Sequence, residues 1–368
     1  MNGGIFCAVS GHGYGHLSQV APILNHLGTL DPGLRIMVAG KLDRAVLEKF
    51  VRVSFSSDPA VRDIGLVQND PLVVDLEATR LSYIAMQHRW EELVTAEMAR
   101  LRAFNTNLVL VDIPCVTIAA AHRLNIPSVA IASLSWDHII KAYFSLDDPI
   151  NRGWWLRMRE NYAKTTLALL PQPAIMGDTF PHYEVIPPLA SPGRTRKGEL
   201  RQALGIATED ERPLIMVNLG GMPSNTLPLE KIFQEIRYHW LFKETQLPSM
   251  DHVHAIHAVE PWPFEDILGS VNAVVSKPGY GTAVHSAVLG IPMLYVRRRV
   301  FPDEDPICTW LSEYGIALEI DAETFASGQW HTPLQTLFRQ VPPPRPRCNG
   351  AEVAAKKIME LLGRIDIQ

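Results

Sequence analysis

Two histidines stand in a glycine-rich stretch directly after the first apolar run of the sequence. Residues 10–24 read SGHGYGHLSQVAPIL, and the preceding residues 4–9 are mostly apolar. Glycines at the end of a strand let the backbone approach a ligand closely, because they carry no Cβ. An imidazole in the same place can accept a hydroxyl proton near neutral pH, since its ordinary pKa is about 6.5. His16 and His12 are therefore candidates for a general base.

The glycine pattern differs from that of a dinucleotide-binding loop. That fingerprint needs G-x-G-x-x-G and an acidic residue at the end of the second strand. Here Gly11, Gly13 and Gly15 are followed by His16, and the second strand ends in a glycine and a lysine. No GxxxxGK[ST] motif of a phosphate-binding P-loop follows either. His12 and His16 lack a third ligand nearby, so we expect no metal site. A tight turn alone would explain the glycines, but not the histidine.

A carboxylate is predicted at the same edge of the sheet as the histidines. Asp112 ends the apolar run at residues 108–111, and acids at the carboxyl ends of parallel strands face the ligand crevice. A carboxylate that accepts a hydrogen bond from an imidazole orients the ring and stabilises the imidazolium formed during proton transfer. We therefore predict a dyad of His16 and Asp112. Two alternatives stay open: His12 is the base, or Asp112 only caps the following turn.

A second glycine-rich turn follows an apolar run in the other half of the sequence. Residues 275–293 read VSKPGYGTAVHSAVLGIPM. Backbone N–H groups at a helix N-terminus can hold phosphate oxygens, and glycines leave them accessible. Gly220 and Gly221 end another apolar run. The second half therefore also has a glycine-rich turn that can bind an anion.

The elements that must position these residues alternate between strands and helices. Apolar runs predict strands at residues 5–9, 34–39, 108–111, 128–132, 214–219, 253–258, 273–275 and 293–296. A periodicity of three to four residues predicts helices between them, and residues 76–104, 154–169 and 229–240 are each predicted as one helix. This alternation predicts an α/β fold with parallel sheets covered on both faces.

Two α/β domains that face each other across a cleft are the simplest architecture. The sequence has 368 residues, which is long for a single core. A proline-rich stretch at residues 185–193, followed by a basic and polar run, indicates a domain boundary. We predict an N-terminal domain at residues 1–190, a second domain at 191–346 and a C-terminal helix within 347–368.

The composition is that of a globular protein without a nucleic-acid surface. Apolar residues make up 47% and charged residues 20%, and the formal net charge is −5, whereas nucleic-acid binders usually carry a basic excess. The four cysteines form no CxxC pair, so they indicate neither a disulfide framework nor a zinc site. No apolar run is long enough to cross a bilayer, and the first residues lack the features of a signal peptide. We expect a cytoplasmic protein.

Motifs in both halves of the chain resemble those of GT-B glycosyltransferases. The second glycine-rich turn resembles the nucleotide-sugar signature of the UDP-glycosyltransferases, and a related form occurs in the N-acetylglucosaminyltransferase of peptidoglycan synthesis. The sequence is more similar still to the glycosyltransferase-like amino-terminal part of L-arabinokinases. The motifs that carry this resemblance are Gly11-His12-Gly13-Tyr14-Gly15-His16, Ser135-Trp136-Asp137, Gly279-Tyr280-Gly281-Thr282, Val296-Arg297-Arg298 and Glu304-Asp305-Pro306.

This resemblance implies two Rossmann-like domains, the second of which binds a nucleotide-diphosphate sugar. That sugar is the donor substrate, so no separate cofactor and no metal ion are implied. The last helix would pack back on the first domain. The donor-side residues implied by the resemblance are Gly220, Gly221, Lys277, Gly279, Tyr280, Gly281, Thr282, His285, Arg297, Arg298, Glu304 and Asp305. Among them, Lys277 takes the position of a phosphate-contacting side chain, and Gly220 and Gly221 would close the phosphates from the other side. Glu304 and Asp305 resemble the pair that holds the sugar hydroxyls. An exposed loop is the alternative for the two arginines and for the two acids.

The resemblance also assigns roles in the first half. His16 takes the position of the family's general base, and Asp112 takes that of its partner aspartate. The acceptor would be a small molecule, a lipid or a glycan, bound on the side of His12, Tyr14, Trp136 and Asp137. A position in the core is the alternative for the tryptophan.

The sequence as a whole predicts an inverting, metal-independent glycosyltransferase that uses a nucleotide-diphosphate sugar, with UDP as the expected nucleotide. Two alternatives stay open, namely a nucleotide-sugar 2-epimerase on the same fold and a catalytically weak binding or regulatory module. The second alternative has support from His285, which stands where the family has the glutamate that binds the ribose hydroxyls. Neither the sugar nor the acceptor can be read from the sequence.

Overall fold

The computed structural model describes residues 3–12, 14–70, 72–175, 178–220, 226–243, 247–298 and 300–363. Gly13 and Gly221, both named in the sequence motifs above, lie outside these residues. Among the described residues, no helix is long and apolar enough to cross a membrane.

The first half of the chain forms a seven-stranded parallel sheet. Its strands and the small hairpin beside it are β1 (Gly4–Val9), β2 (Arg35–Ala39), β3 (Ser56–Asp58), β4 (Gln68–Asp70), β5 (Val73–Val74), β6 (Thr106–Asp112), β7 (Ser128–Ile131), β8 (Leu167–Pro171) and β9 (Tyr183–Ile186). The strand order is β3-β2-β1-β6-β7-β8-β9, while β4 and β5 pair only with each other. The helices are α1 (Tyr14–Leu30), α2 (Arg44–Phe50), α3 (Leu76–His88), α4 (Trp90–Phe104), α5 (Cys115–Arg123), α6 (Trp136–Tyr143) and α7 (Pro149–Tyr162).

The second half forms a six-stranded parallel sheet. Its strands are β10 (Leu214–Asn218), β11 (His239–Phe242), β12 (Val253–Ala255), β13 (Ala273–Ser276), β14 (Met293–Val296) and β15 (Ala317–Ile320), in the order β12-β11-β10-β13-β14-β15. The helices are α8 (Lys197–Ala203), α9 (Leu229–Phe233), α10 (Phe264–Leu268), α11 (Tyr280–Leu289), α12 (Glu304–Tyr314), α13 (Ala322–Ser327), α14 (His331–Phe338) and α15 (Gly350–Leu361), with a 3₁₀ turn at Ile256–Val259.

Helices cover both sheets, which explains why the central strands are apolar throughout. Every residue of β1 and of β14 is buried, as expected when both faces of a parallel sheet are packed. The last helix, α15, packs against α1 of the first half, and Leu189 forms a bridge with Asn349 just before α15. The predicted α/β architecture of two parallel sheets is confirmed.

Three helices were predicted with the wrong bounds. The helix predicted at 76–104 is broken at Arg89, which has φ −101° and ψ 12°. The helix predicted at 154–169 ends at Tyr162, and its last residues belong to β8, because pairing with β7 and β9 buries that apolar run. The helix predicted at 229–240 ends at Phe233, and the aromatic segment from His239 forms β11, as suits aromatic residues.

The predicted domain boundaries remain predictions. Residue 190 lies between β9 and α8, and residue 346 lies between α14 and α15.

Candidate active site

The carboxyl edge of the first sheet brings the glycine turn and Asp112 together. β1 and β6 are neighbours in the sheet, and Val9 lies opposite Asp112 in their register. The backbone N–H of Ser10 then donates to the carbonyl oxygen of Asp112 at 2.7 Å. Because α1 begins at Tyr14, the side chain of His16 lies in the first turn of that helix, above the end of β6.

His16 and Asp112 form a buried pair. The Nδ1–H of His16 donates to Oδ1 of Asp112 at 2.9 Å, and only 5% and 1% of the two residues are exposed. Burial alone would lower the pKa of His16, but the charge and hydrogen bond of Asp112, with help from Asp63 and Asp303, outweigh it and raise that pKa. Nε2 of His16 has no hydrogen-bond partner among the residues that the structure describes, so it is left for a ligand.

His12 lies beside this pair but has a different environment. Its ring and that of His16 both pack against Trp136, with centroid distances of 5.3 and 5.6 Å. Burial lowers the pKa of His12 to about 3, and the positive charges of His16, Lys277 and Arg298 add to that effect. Its Nε2 is buried and, within the described part of the chain, has no hydrogen-bond partner. His12 therefore stays neutral near pH 7 and is the weaker base of the two.

The second sheet presents a cradle of backbone and small side chains at its own carboxyl edge. Gly220, just after β10, has φ +106°, a conformation that favours glycine. A Cβ on Gly279, the residue before α11, would meet no atom within 4 Å, so the N-terminus of this helix is open to a ligand. The hydroxyl of Thr282 accepts a hydrogen bond from Nδ2 of Asn218 at 3.2 Å. Burial, followed by the charge of Arg298, lowers the pKa of Lys277 to about 7.

Three of the predicted donor-side residues contact the first half of the chain or the linker. The hydroxyl of Tyr280 donates to the carbonyl of Gln172 at 3.1 Å and accepts from the backbone N–H of Leu189 at 3.0 Å. A Cβ on Gly281 would lie 3.1 Å from the hydroxyl of Ser18, so α11 and α1 approach closely there. These contacts join the two halves beside the cradle.

His285, the third of these residues, has protein partners on both ring nitrogens. Its Nδ1–H donates to the carbonyl of Gly281 at 2.7 Å, and its Nε2 accepts from the N–H of Ser191 at 3.2 Å. Burial lowers its pKa. The ring is therefore neutral and offers no free nitrogen to a ligand in this conformation.

The arginines and acids after β14 separate into a buried pair and an exposed pair. Arg298 donates from Nε to Glu304 at 2.5 Å and from its backbone N–H at 2.9 Å, so both carboxylate oxygens of this buried glutamate are in use. Arg297 and Asp305 form an ion pair whose carboxylate is exposed. No pattern in the sequence indicated the buried pair, whereas the exposed Asp305 is consistent with the alternative of an exposed loop. The sugar-binding role of the two acids stays a prediction.

Asp303, which was not predicted from the sequence, interacts electrostatically with His16 of the dyad. Burial raises its pKa to about 7, while the positive charges of Arg298, Lys277 and His16 oppose that rise. It stands directly before the Glu304-Asp305-Pro306 motif, and no pattern in the sequence distinguished it from an ordinary loop residue. The structure thus places one acid from the second half within the electrostatic field of His16 in the first half.

Asp63 is a second carboxylate that the sequence did not reveal. It lies in the irregular segment between β3 and β4, and it accepts a hydrogen bond from Nε1–H of Trp136 at 3.1 Å. No periodicity or motif marks such a position, so only the folded structure brings it to the histidines.

The remaining acceptor-side residues are spread more widely. Asp137 is buried, accepts from Arg159 at 3.2 Å and from the hydroxyl of Thr179 at 2.9 Å, and so lies in a network of its own. Tyr14 is 37% exposed and packs near Phe50. Trp136 alone of the set contacts both histidines. The acceptor roles of all four residues stay predictions.

No group of three or more histidine, cysteine, aspartate or glutamate side chains in the described ranges has the geometry to hold a metal ion. Two histidines of the second sheet, His239 and His254, are hydrogen-bonded to each other. Nδ1 of His239 lies 2.9 Å from Nε2 of His254, and its Nε2 lies 2.9 Å from Oδ2 of Asp210.

Comparison with known proteins gives a related sequence and several solved structures of similar fold. No protein-family profile matches the chain. The chain is 26% identical over 372 residues to L-arabinokinase of Arabidopsis thaliana, a match that covers 96% of this chain but only 34% of the relative. The chain therefore spans about a third of the length of that protein.

Three solved structures illustrate the similarity of fold. CalG4, the calicheamicin glycosyltransferase, is 15% identical with a TM-score of 0.62 over 100% of both chains. UGT71G1 of Medicago truncatula, complexed with UDP-glucose, is 13% identical with a TM-score of 0.59 over 98% of both. The UDP-GlcNAc 2-epimerase of Neisseria meningitidis, bound to UDP-GlcNAc, is 14% identical with a TM-score of 0.60 over 97% of this chain and 99% of its own. At such identities the similarity shows the fold alone, and it confirms the predicted GT-B fold.

Proposed function

We propose that this chain is a glycosyltransferase that moves a sugar from a nucleotide-diphosphate sugar, with UDP as the expected nucleotide, to an acceptor hydroxyl. One observation carries the proposal: the buried pair of His16 and Asp112 lies at the carboxyl edge of one sheet, and the open helix N-terminus at Gly279 lies at that of the other. A base and an anion cradle on facing domains are what transfer from a nucleotide sugar requires. The fold shared with UGT71G1 in its UDP-glucose complex supports this assignment.

The proposed reaction is a single displacement with inversion at the anomeric carbon. Nε2 of His16 accepts the proton of the acceptor hydroxyl while the acceptor oxygen forms its bond to the anomeric carbon. The bond from that carbon to the diphosphate oxygen breaks, and the nucleoside diphosphate leaves with the electron pair. Asp112 stabilises the imidazolium that results, because it already holds Nδ1–H. The raised pKa of His16 suits this role, since it strengthens the base.

The proposed site for the diphosphate is the cradle at the start of α11. Backbone N–H groups at the helix N-terminus, at Gly279 and beyond, would meet the phosphate oxygens, and Lys277 would add a charge. Gly220 and Thr282 border the same space, and Gly221 is assigned there from the sequence. In this scheme the helix and the lysine neutralise the leaving group, so the proposed mechanism needs no metal ion and no cofactor.

The sugar and the acceptor would lie between the two sheets. Glu304 is already held by Arg298, so we propose that Asp303 takes the sugar-binding role that the sequence suggested for Glu304 and Asp305. Arg297 and Arg298 would then hold the acidic segment in place through their ion pairs with Asp305 and Glu304, and would not bind the donor directly. Trp136 would form the wall on the acceptor side, where a small molecule, lipid or glycan binds. We place the reaction in the cytoplasm.

Two rival functions have specific support. The charges of both Asp63 and Asp303 act on His16, and a nucleotide-sugar 2-epimerase would need acids near the sugar; one structural neighbour is such an epimerase. The alternative of a weak binding or regulatory module rests on His285, whose nitrogens are both occupied, so that it does not replace the ribose-binding glutamate.

A panel of nucleotide sugars separates these functions. The wild-type chain is incubated with each sugar, with and without a mixture of hydroxyl acceptors, and the products are identified by mass spectrometry. We expect release of a nucleoside diphosphate that depends on an acceptor and is lost in His16→Ala. His26→Ala is the matched control, because His26 is exposed on the same helix. Conversion to an isomeric sugar without acceptor would identify the epimerase, and full transfer activity in His16→Ala would refute the assignment of the base.

A further inference from the structure

The irregular segment between β3 and β4 is hydrogen-bonded to its surroundings and lies beside the candidate base. Arg62 is buried and donates to Glu97 and to the carbonyl of Ala60, each at 2.7 Å. The carbonyl of Gly65 accepts from the hydroxyl of Tyr83 at 3.0 Å. Gly65 has φ +63°, and a Cβ there would lie 3.0 Å from atoms of both His12 and Trp136. The segment therefore packs directly on the two aromatic neighbours of His16.

Asp63, in the middle of this segment, joins it to Trp136 at the start of α6. Its carboxylate accepts a hydrogen bond from Nε1–H of Trp136 at 3.1 Å. Burial raises the pKa of Asp63, while Ser10, the charge of His16, Trp136 and Gly11 oppose that rise. The indole N–H can only donate, so an ionised carboxylate fits it best. Ser10 and Gly11 begin the turn that carries both histidines, and the indole lies against both rings.

We propose that Asp63 is a positioning residue for the pair of His16 and Asp112. Its carboxylate holds the indole of Trp136 against the imidazole of His16 and places a second negative charge beside that ring. The charge of Asp63 acts on His16 in the same direction as those of Asp112 and Asp303. The role in catalysis rests on the proposed function, whereas the role in holding and charging His16 does not.

The first test measures the protonation of His16 directly. The chain is labelled with ¹³C-histidine, and the ring signal of His16 is titrated in the wild type, in Asp63→Asn and in Asp43→Asn. Asp43 is an exposed acid that makes no side-chain capping bond at the start of α2, so it is a matched control. We expect Asp63→Asn to lower the pKa of His16 and Asp43→Asn to leave it unchanged. A His16 pKa that is the same in Asp63→Asn and in the wild type would overturn the proposal.

The second test needs no variant, so it decides the matter even if Asp63→Asn does not fold. The indole N–H signal of Trp136 is followed from pH 3 to pH 8 in the ¹⁵N-labelled wild type. Burial raises the pKa of Asp63, so we expect this signal to move with a midpoint above the ordinary aspartate value of about 3.9. An indole signal that does not shift with pH in this range would show that Asp63 does not hold Trp136.

Kinetics then connect the residue to the reaction. A loosened imidazole is expected to cost about 10- to 100-fold in kcat, while KM for the donor stays within about threefold, because the proposed donor contacts lie on the other half. A rise in the donor KM of Asp63→Asn with an unchanged kcat would contradict a positioning role. If no nucleotide sugar reacts with the wild type, the proposed function fails, and the two titrations still test the position of Asp63.

Discussion

Replacing Asp112 by asparagine should remove most of the activity and leave the fold intact. Asparagine has almost the same shape, and the Oδ1 atom of Asp112 lies 2.9 Å from Nδ1 of His16 in a buried environment. What the variant loses is the negative charge beside the imidazolium. The amide can also turn its NH₂ group toward Nδ1, which would place the proton on Nε2 and block that atom as a base.

The size of the effect follows from the geometry of the pair. With roughly 4 Å between the charge centres and an effective dielectric constant near 20, the attraction is about 4 kcal/mol. That energy corresponds to about a thousandfold in rate. We therefore expect kcat of Asp112→Asn to fall by about 10²- to 10⁴-fold, within the range that general-base catalysis contributes.

The assay measures kcat and the melting temperature of the wild type and of the variant between pH 6 and pH 9. The rate of the wild type should rise with pH until His16 loses its proton. Because Asp112 contributes to the raised pKa of His16, the acid limb of Asp112→Asn should lie at lower pH, with a much lower plateau. A plateau within threefold of the wild type, in a variant that melts normally, would refute the dyad.

Three further predictions concern the second half of the chain. Tyr280→Phe leaves the buried N–H of Leu189 and the partly buried carbonyl of Gln172 without their partner. It should therefore lower the free energy of unfolding in urea by about 1–3 kcal/mol. Tyr183→Phe, at an exposed tyrosine, is the control, and a loss below about 0.5 kcal/mol in Tyr280→Phe would contradict this. Lys277 has a pKa of about 7 when free and should gain a proton on binding a diphosphate, so affinity should weaken as the pH rises above 7. Calorimetry in two buffers should detect this proton uptake, and Lys277→Met should abolish it. His285→Ala should change the affinity for a nucleoside diphosphate by less than about threefold and should lower the stability of the fold, because both ring nitrogens are hydrogen-bonded to the protein. An affinity about tenfold weaker, or about 1.4 kcal/mol, would instead show that His285 holds the ribose.

The residues at the carboxyl ends of the central strands could be predicted from the sequence, because short apolar runs mark where those strands end. The apolar run before Ser10 and the one before Asp112 predict buried parallel strands, and such strands place their following residues at one edge. His16 and Asp112 were therefore predictable as neighbours, although they are 96 positions apart. The glycines of the second turn indicated the start of α11 for the same reason.

Contacts made by irregular segments could not be read in this way. Asp63 reaches Trp136 from a segment with no periodicity, and Tyr280 and His285 reach Leu189 and Ser191 of the linker. These partners depend on how loops pack after the sheets have formed, which no pattern of one sequence encodes. The sequence motif gave Tyr280 and His285 donor-side roles, whereas their polar atoms are bonded to the protein.

The proposed function requires the cradle at α11 to hold the diphosphate of a nucleotide sugar. Titration calorimetry with UDP, dTDP, GDP and ADP, each compared with its nucleoside, measures this binding. We predict that at least one nucleoside diphosphate binds, that its nucleoside binds far more weakly, and that Lys277→Met weakens binding of the diphosphate alone. If none of the diphosphates binds the wild-type chain, or if the nucleosides bind equally well, the cradle does not hold a diphosphate.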